Sequence, residues 1–293
     1  LSVLAADSLR GRGTATPGAA KAARLIAEAM HEMGLQPAGD SGYYQRVPLF
    51  RTASGLALAD SLQGAEFTDV NVVGILPGAD SARRGEAVIV GAHYDHLGVG
   101  TPVGGDSIYN GADDDGSGVI ATLAIARALA AGPPPGRTLI FLLTTGEEVG
   151  LLGTNWYVAH PVVSLASTVA DLQIEMIGRP DPLVGGVGVS WLTGYERSTI
   201  GNIVKQAGLP IAPDPRPIQR FFERSDNIVF ARLGIPAHTL SSYGMHPDYH
   251  TPRDEVAGID FVHMARVVDA GARLVRLLAD GPKLEWHPGG KPE

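Results

Sequence analysis

Cysteine is absent from this chain, which excludes disulfides, thiolate metal ligands and a cysteine nucleophile while leaving oxidising and reducing compartments both open. Any metal must therefore be held by His, Asp or Glu. No apolar run is long enough to cross a bilayer; the most apolar stretches, 86–92 (EAVIVGA) and 137–145 (RTLIFLLTT), have the length of strands, so a membrane-spanning segment is not expected. There is no block of Lys or Arg and the formal net charge is -8. Both facts argue against a surface for nucleic acid or for anionic membranes, and a small or peptide partner fits better. Internal repeats, low-complexity linkers and breaks in composition are missing as well, so residues 1–293 read as a single domain, with 281–293 (GPKLEWHPGGKPE) as a loose C-terminal tail. The opening LSVLAADSLRGRG has neither the basic start nor the apolar stretch of a signal peptide, and the chain is expected to be a processed or trimmed form.

With 44% hydrophobic residues over 293 positions, the chain can bury a full core. Thr16 as N-cap, Pro17 at the first helical position and Gly34 as a stop predict one helix. Residues 35–68 are mixed, and 69–78 (DVNVVGILPG) read as a strand entering a turn. Strands over 86–92, 137–145, 168–175 and 184–191 then alternate with helices near 116–131, 150–159 and 195–207. Residues 210–224 read as a surface loop; a helix from Ser225, a strand over 236–241 and an amphipathic helix over 260–279 follow. Such alternation predicts an α/β domain with a central, mostly parallel sheet and helices on both faces.

Open sheets of this kind gather ligands at the carboxyl ends of their strands. Three strands here run into polar residues: one into His93, one into Glu147 and Glu148, one into Glu175. Asp95 follows His93 by two positions, which in a strand points to the same side and suits a carboxylate that orients a liganding imidazole; alone, the pair also suits an ordinary hydrogen-bonded His. In 110–118 (NGADDDGSG) an N-cap accounts for one or two of three adjacent aspartates, whereas three neighbouring anions repel unless a cation is present. The Glu147-Glu148 pair reads singly as a solvated loop; jointly it offers one carboxylate for a metal and a free neighbour to carry a proton. Glu175 interrupts a run that otherwise looks buried, and a lone buried carboxylate calls for a cation or hydrogen bonds. His250 in HPDYHTPRDE has no local feature that marks it, and the remaining histidines, His96 among them, read as ordinary residues.

Taken in this order, GAHYDHLG, NGADDDGSG, TTGEEVG, DLQIEMIG and HPDYHTPRDE resemble the bacterial di-zinc aminopeptidases that prefer leucine, in the family that also holds glutamate carboxypeptidase II and glutaminyl cyclase. The opening DSLRGRGTATPG and the later ERSDNIVFARLGIPA extend the resemblance over nearly the whole chain. It implies a zinc-peptidase catalytic domain with two Zn2+ ions, for which cobalt or manganese are possible substitutes. His93 and Glu175 would hold one ion, Glu148 and His250 the other, with Asp114 bridging. Asp95 would orient His93, and Glu147 would act as general acid/base toward a bridging hydroxide. Tyr249 would donate to the oxyanion. The resemblance further implies a peptide substrate with a free N-terminus, an exported (periplasmic or extracellular) place of work, and a cis bond between Asp114 and Asp115. The charges balance, since two zinc ions offset Asp114, Glu148, Glu175 and one hydroxide. Phe221, Phe222, Met176 and Ile177 are candidates for an apolar pocket.

Two departures from the family pattern stand out: Asn227 where His is common after Ser-Asp, and Glu175 where the aminopeptidases often carry Asp. Neither removes a ligand. Glutaminyl cyclases share the scaffold but commonly have Trp where this chain has Tyr249. A carboxypeptidase or dipeptidase would need a basic pocket, for which Arg220 or Arg224 are the candidates. A non-catalytic relative, like the transferrin receptor, would have lost ligands that are all present here.

Overall fold

A computed structural model describes all residues, 1–293. In chain order it contains α1 (Pro17–Glu32), β1 (Gln36–Pro37), β2 (Tyr44–Thr52), β3 (Gly55–Leu58), β4 (Phe67–Leu76), β5 (Ala87–His93), β6 (Gly98–Val103), β7 (Asp106–Tyr109), α2 (Gly118–Ala130), β8 (Thr138–Thr144), α3 (Leu152–Ala159), β9 (Thr168–Ile174), β10 (Ser190–Leu192), α4 (Ile200–Gln206), β11 (Ile211–Pro213), α5 (Asn227–Arg232), β12 (Ala237–Ser241) and α6 (Phe261–Asp280). The sheet runs β11-β10-β12-β9-β5-β8-β4-β2-β3, with β1 beside β4 and the β6-β7 hairpin apart. Its middle strands β12, β9, β5 and β8 are parallel, and antiparallel pairs flank them. This is the expected α/β architecture.

The middle strands are unbroken apolar runs because both of their faces are covered. In β5, Val88, Val90 and Ala92 join a core with α1, α2 and α6, while Ala87 and Ile89 face Tyr157 of α3 and Phe230 of α5. Helix α1 starts where Thr16 Oγ1 accepts from Ala19 N, and buries Ala19, Ala22, Ala23, Ile26 and Met30, a spacing of three and four that makes one stripe. Burying a side chain such as Ile26 stabilises by roughly 1.5–3 kcal/mol.

Parallel pairing aligns the strand ends. His93 sits opposite Thr144, and Gly91 opposite Gln173, so the residues that follow β5, β8 and β9 emerge side by side at one edge.

Four expectations need correction. Residues 184–191 do not form a strand: Gly185, Gly186 and Gly188 have φ of 114°, 79° and 87°, a left-handed region that no strand allows, and only Ser190–Leu192 pair. The predicted loop 210–224 contributes the edge strand β11, which pairs with β10. Residues 35–68, read as mixed, contain β2 and β3, where Val47 and Leu49 are buried between exposed Arg46 and Arg51. The last residues are not loose: Trp286 Nε1 donates to Gly234 O at 2.9 Å, and Glu285 and His287 bond the backbone around Arg197 and Thr199. No helix is long and apolar enough to cross a membrane.

Candidate metal centre

Asp114 faces two imidazoles with its two oxygens. Oδ1 lies 3.3 Å from His93 Nε2, and Oδ2 lies 3.0 Å from His250 Nε2. Each imidazole has a second carboxylate: Glu175 Oε1 stands 3.4 Å from His93 Nε2, and Glu148 Oε2 stands 3.3 Å from His250 Nε2. The residues expected as ligands from five separate segments thus converge at one edge of the sheet. His93, Asp114 and Glu148 are buried or nearly so, and His250 is partly exposed to the cleft.

The loop between β7 and α2 shows how its three aspartates divide the work. Asp113 Oδ1 accepts from Gly178 N and Ser117 Oγ, and Asp115 Oδ1 accepts from Gly118 N and Met176 N. These two fix the helix start and the segment after β9, Asp113 Oδ2 lies 3.4 Å from His246 Nε2, and Asp114 is the one turned to His93 and His250. The Asp254 carboxylate accepts the N–H groups of Asp113 and Asp114 from behind. The Asp114-Asp115 bond is cis, as the resemblance implied.

Asp95 meets His93 through its carbonyl, 3.1 Å from Nδ1, more closely than through its carboxylate at 3.7 Å. That carboxylate accepts instead from Thr14 Oγ1 at 2.8 Å and from the backbone N–H of Glu147 at 3.2 Å. Glu147 Oε2 lies 4.0 Å from His93 Nε2. The ring of Tyr249 stacks on that of His250, with centroids 3.8 Å apart.

Above these groups opens a cleft with Met176, Trp191, Phe221, Arg224 and Tyr249 in its walls. Of the four apolar candidates, Met176 and Phe221 line it. Ile177 and Phe222 do not; they are core residues. Arg224 is at the cleft, whereas Arg220 pairs with Glu223. Asn227 is structural, donating to Phe222 O and accepting from Thr239 Oγ1. His96, which sequence reasoning passed over, belongs to the cluster: with Asp114, Glu148 and His250 it offers ligand-type atoms all within 4.8 Å of one another. Its place directly after Asp95 was the available signal.

Electrostatics show an unmet demand for positive charge. Burial pushes the Glu147 carboxyl well above its usual range, and Glu175, Asp226 and Glu148 add to this against the pull of His93. Burial works against a proton on His93, yet Glu147, Asp114, Asp95 and Glu175 outweigh it and raise its pKa well above normal. His250 is likewise raised to about 10, with Asp114 and Glu148 overcoming burial. Asp114 is held well below the carboxylate range, where His250 and His93 overcome the burial that opposes ionisation. Protons or cations must compensate these carboxylates. The donors fit zinc: two atoms each about 2.0–2.1 Å from a tetrahedral ion lie about 3.3 Å apart, and the imidazole–carboxylate pairs measure 3.0–3.4 Å.

Comparison with known proteins bears on the family and on the fold. The sequence model of Peptidase family M28 matches residues 71–275. Aminopeptidase YwaD of Bacillus subtilis is 26% identical over 227 residues, which is 75% of this chain and 46% of that protein; the chain spans less than half its length. The structure of BSAP, described as a zinc aminopeptidase from Bacillus subtilis, superposes with a TM-score of 0.68 at 17% identity, covering 96% of this chain and 93% of the other. Porphyromonas gingivalis glutaminyl cyclase superposes with a TM-score of 0.66 at 16% identity, covering 94% of each chain. At these identities the two structures speak for the fold alone.

Proposed function

We propose that this chain, which belongs to peptidase family M28, is a di-zinc aminopeptidase that releases the N-terminal residue of peptides carrying a free amine. The reading is supported above all by Asp114, whose two oxygens face separate His-Glu pairs. His93, Glu175 and Asp114 Oδ1 would hold one ion; His250, Glu148 and Asp114 Oδ2 would hold the other. When bound, the ions supply the positive charge that polarises the scissile carbonyl and makes water more acidic.

The chain's own residues supply the rest. Glu147 takes a proton from the attacking water on its carboxylate and returns it to the leaving amine. The Tyr249 hydroxyl donates to the oxyanion of the tetrahedral species. Met176, Trp191 and Phe221 receive an apolar side chain, and the acidic mouth draws the ammonium group of the substrate.

The test measures zinc content alongside turnover of a leucyl anilide, its N-acetyl form and a glutaminyl peptide. Two ions per chain, with hydrolysis of the free leucyl anilide only and release of glutamine from the peptide, are expected. Equal cleavage of the N-acetyl form overturns the aminopeptidase reading, and closure of the glutamine to a lactam replaces it with cyclase activity.

A further inference from the structure

His96 is 1% exposed, at the exit of β5. Its Nδ1 lies 2.6 Å from Glu148 Oε1 and 3.7 Å from Asp114 Oδ2. These lengths separate two kinds of contact. The pairs assigned above as neighbours on one ion stand 3.0–3.4 Å apart, near the ~3.3 Å expected for tetrahedral donors. A separation of 2.6 Å is too short for two ligands of one zinc and suits a charge-assisted hydrogen bond.

We propose that His96 is a positioning residue: it donates Nδ1–H to Glu148 Oε1, so that Oε2 alone is left to face the ion shared with His250 and Asp114. The inference rests on the two-ion reading above. Its chemistry is that of the outer partners that orient metal-bound carboxylates, extended here to a histidine beside a glutamate. The tautomer agrees with it. Nε2 of His96 meets no protein partner, and a buried N–H without an acceptor is rarer than an unfilled acceptor, so the N–H belongs on Nδ1, where Glu148 accepts it.

The ring is held where the bond requires. A Cβ on Gly111, whose φ is +55°, would come within 2.6 Å of Cγ and Cδ2 of His96 and 2.2 Å of Asp114 O, so only glycine lets the ring lie against this turn. The His250 ring meets it edge-on at 70°, with centroids 5.6 Å apart. The backbone N–H of His96 is fastened to Arg12 O at 3.3 Å.

The test is a zinc titration of metal-free wild type, His96→Ala and His96→Asn against a chromophoric chelator, with the melting of each metal-free protein as control. The amide nitrogen of Asn can reach roughly where Nδ1 lies and donate the same bond. Wild type is expected to bind two ions. His96→Ala should keep its tighter or looser Glu175-side ion unchanged and bind the Glu148-side ion about 10- to 100-fold more weakly, whereas His96→Asn should stay close to wild type. Undiminished binding of both ions by His96→Ala overturns the inference, and so does a loss in His96→Asn as large as in His96→Ala, which would make the ring a ligand. A measurement on the unaltered zinc-loaded protein stands beside these: the imidazole 15N spectrum should show a protonated Nδ1 and a bare Nε2 for His96, and a metal-bound or unprotonated Nδ1 refutes it. Fewer than two ions in wild type sinks the two-ion reading itself, whereas the other adverse outcomes sink only the role given to His96.

Discussion

The backbone N–H of Glu147 donates to Oδ1 of Asp95 across 3.2 Å. The carboxylate after β5 therefore places the segment that carries the proposed proton carrier, besides lying 3.7 Å from the ring of His93. Asp95→Ala removes the acceptor for Glu147 N–H and for Thr14 Oγ1, and keeps the carbonyl that meets His93 Nδ1. At matched zinc occupancy, kcat should fall about 10- to 100-fold with KM nearly constant. Wild-type kcat in steady-state assays would remove Asp95 from this role.

Tyr249 lines the cleft with its ring stacked on His250, and burial and the nearby Asp114, Glu148 and Glu175 raise its pKa so that it stays a donor. Tyr249→Phe keeps the stack and deletes only the O–H. Turnover should drop by about 10- to 1,000-fold, while binding of an unreactive substrate analogue changes little. Equal losses in turnover and binding would assign the hydroxyl to substrate binding instead.

Arg12 is fully buried and donates to four carbonyls: Tyr94 O at 2.8 Å, Leu4 O at 2.9 Å, Asn110 O at 2.6 Å and Gly111 O at 2.9 Å. It ties the N-terminal segment to the exit of β5 and to the loop before Asp114. Arg12→Met fills much of the space but strands four acceptors, and should destabilise by about 3–5 kcal/mol in urea unfolding. A loss below about 1 kcal/mol would show that the carbonyls find other donors.

These relationships differ in how far the chain itself announces them. β5, β8 and β9 were legible because a strand covered on both faces must be apolar throughout, so the polar residue that ends it stands out. His93, Glu147, Glu148 and Glu175 were found that way; Asp114 was singled out from its neighbours only through the family resemblance. β2 was hidden by Pro48 and by the alternating polar residues of a flank strand, and the glycines of 184–191 looked extended until their positive φ values were seen. Arg12 and His96 act through partners distant in sequence, Tyr94 and Gly111 for one and Glu148 for the other. Nothing local marks Arg12, and His96 is marked only by its place directly after Asp95.

Removal of the ions should make stability depend on pH in a defined direction. Without metal, Glu147 keeps its proton to higher pH in the folded chain than in the unfolded one, because of burial and its carboxylate neighbours. The stability this gives is complete below the ordinary Glu pKa and is lost as pH rises through the raised value. His93, raised by Glu147, Asp114, Asp95 and Glu175 against burial, stabilises below its ordinary pKa and likewise loses that contribution as pH rises. Bound cations replace these protons. The melting gap between zinc-loaded and chelated protein should therefore widen from about pH 5.5 to about pH 8.5 in calorimetry, and a constant gap would contradict the crowding of charge in this cluster.

His238 in β12 points the opposite way in pH. Its ring is buried beside Trp286 and Phe222, with Ser198 Oγ 2.7 Å from Nε2 and Nδ1 2.8 Å from Thr193 O. Burial lowers its pKa from 6.5 to about 4; the Thr193 carbonyl opposes this, and the nearby Arg197 adds to it. The unfolded chain thus takes a proton near pH 6.5 that the folded chain refuses until about pH 4. Stability tied to this ring is complete above 6.5 and drains away as pH falls toward 4, by up to about 3 kcal/mol at 1.36 kcal/mol per pKa unit. His238→Gln carries no titrating group, so whatever packing it loses is lost at every pH. Urea unfolding of the two chains in chelator, which keeps metal release out of the comparison, should show wild type ahead at pH 7.5 and the difference shrinking by that amount at pH 4. Parallel pH profiles for the two chains would mean that the ring accepts its proton inside the fold, and that the hydrogen bonds around it rearrange to admit it.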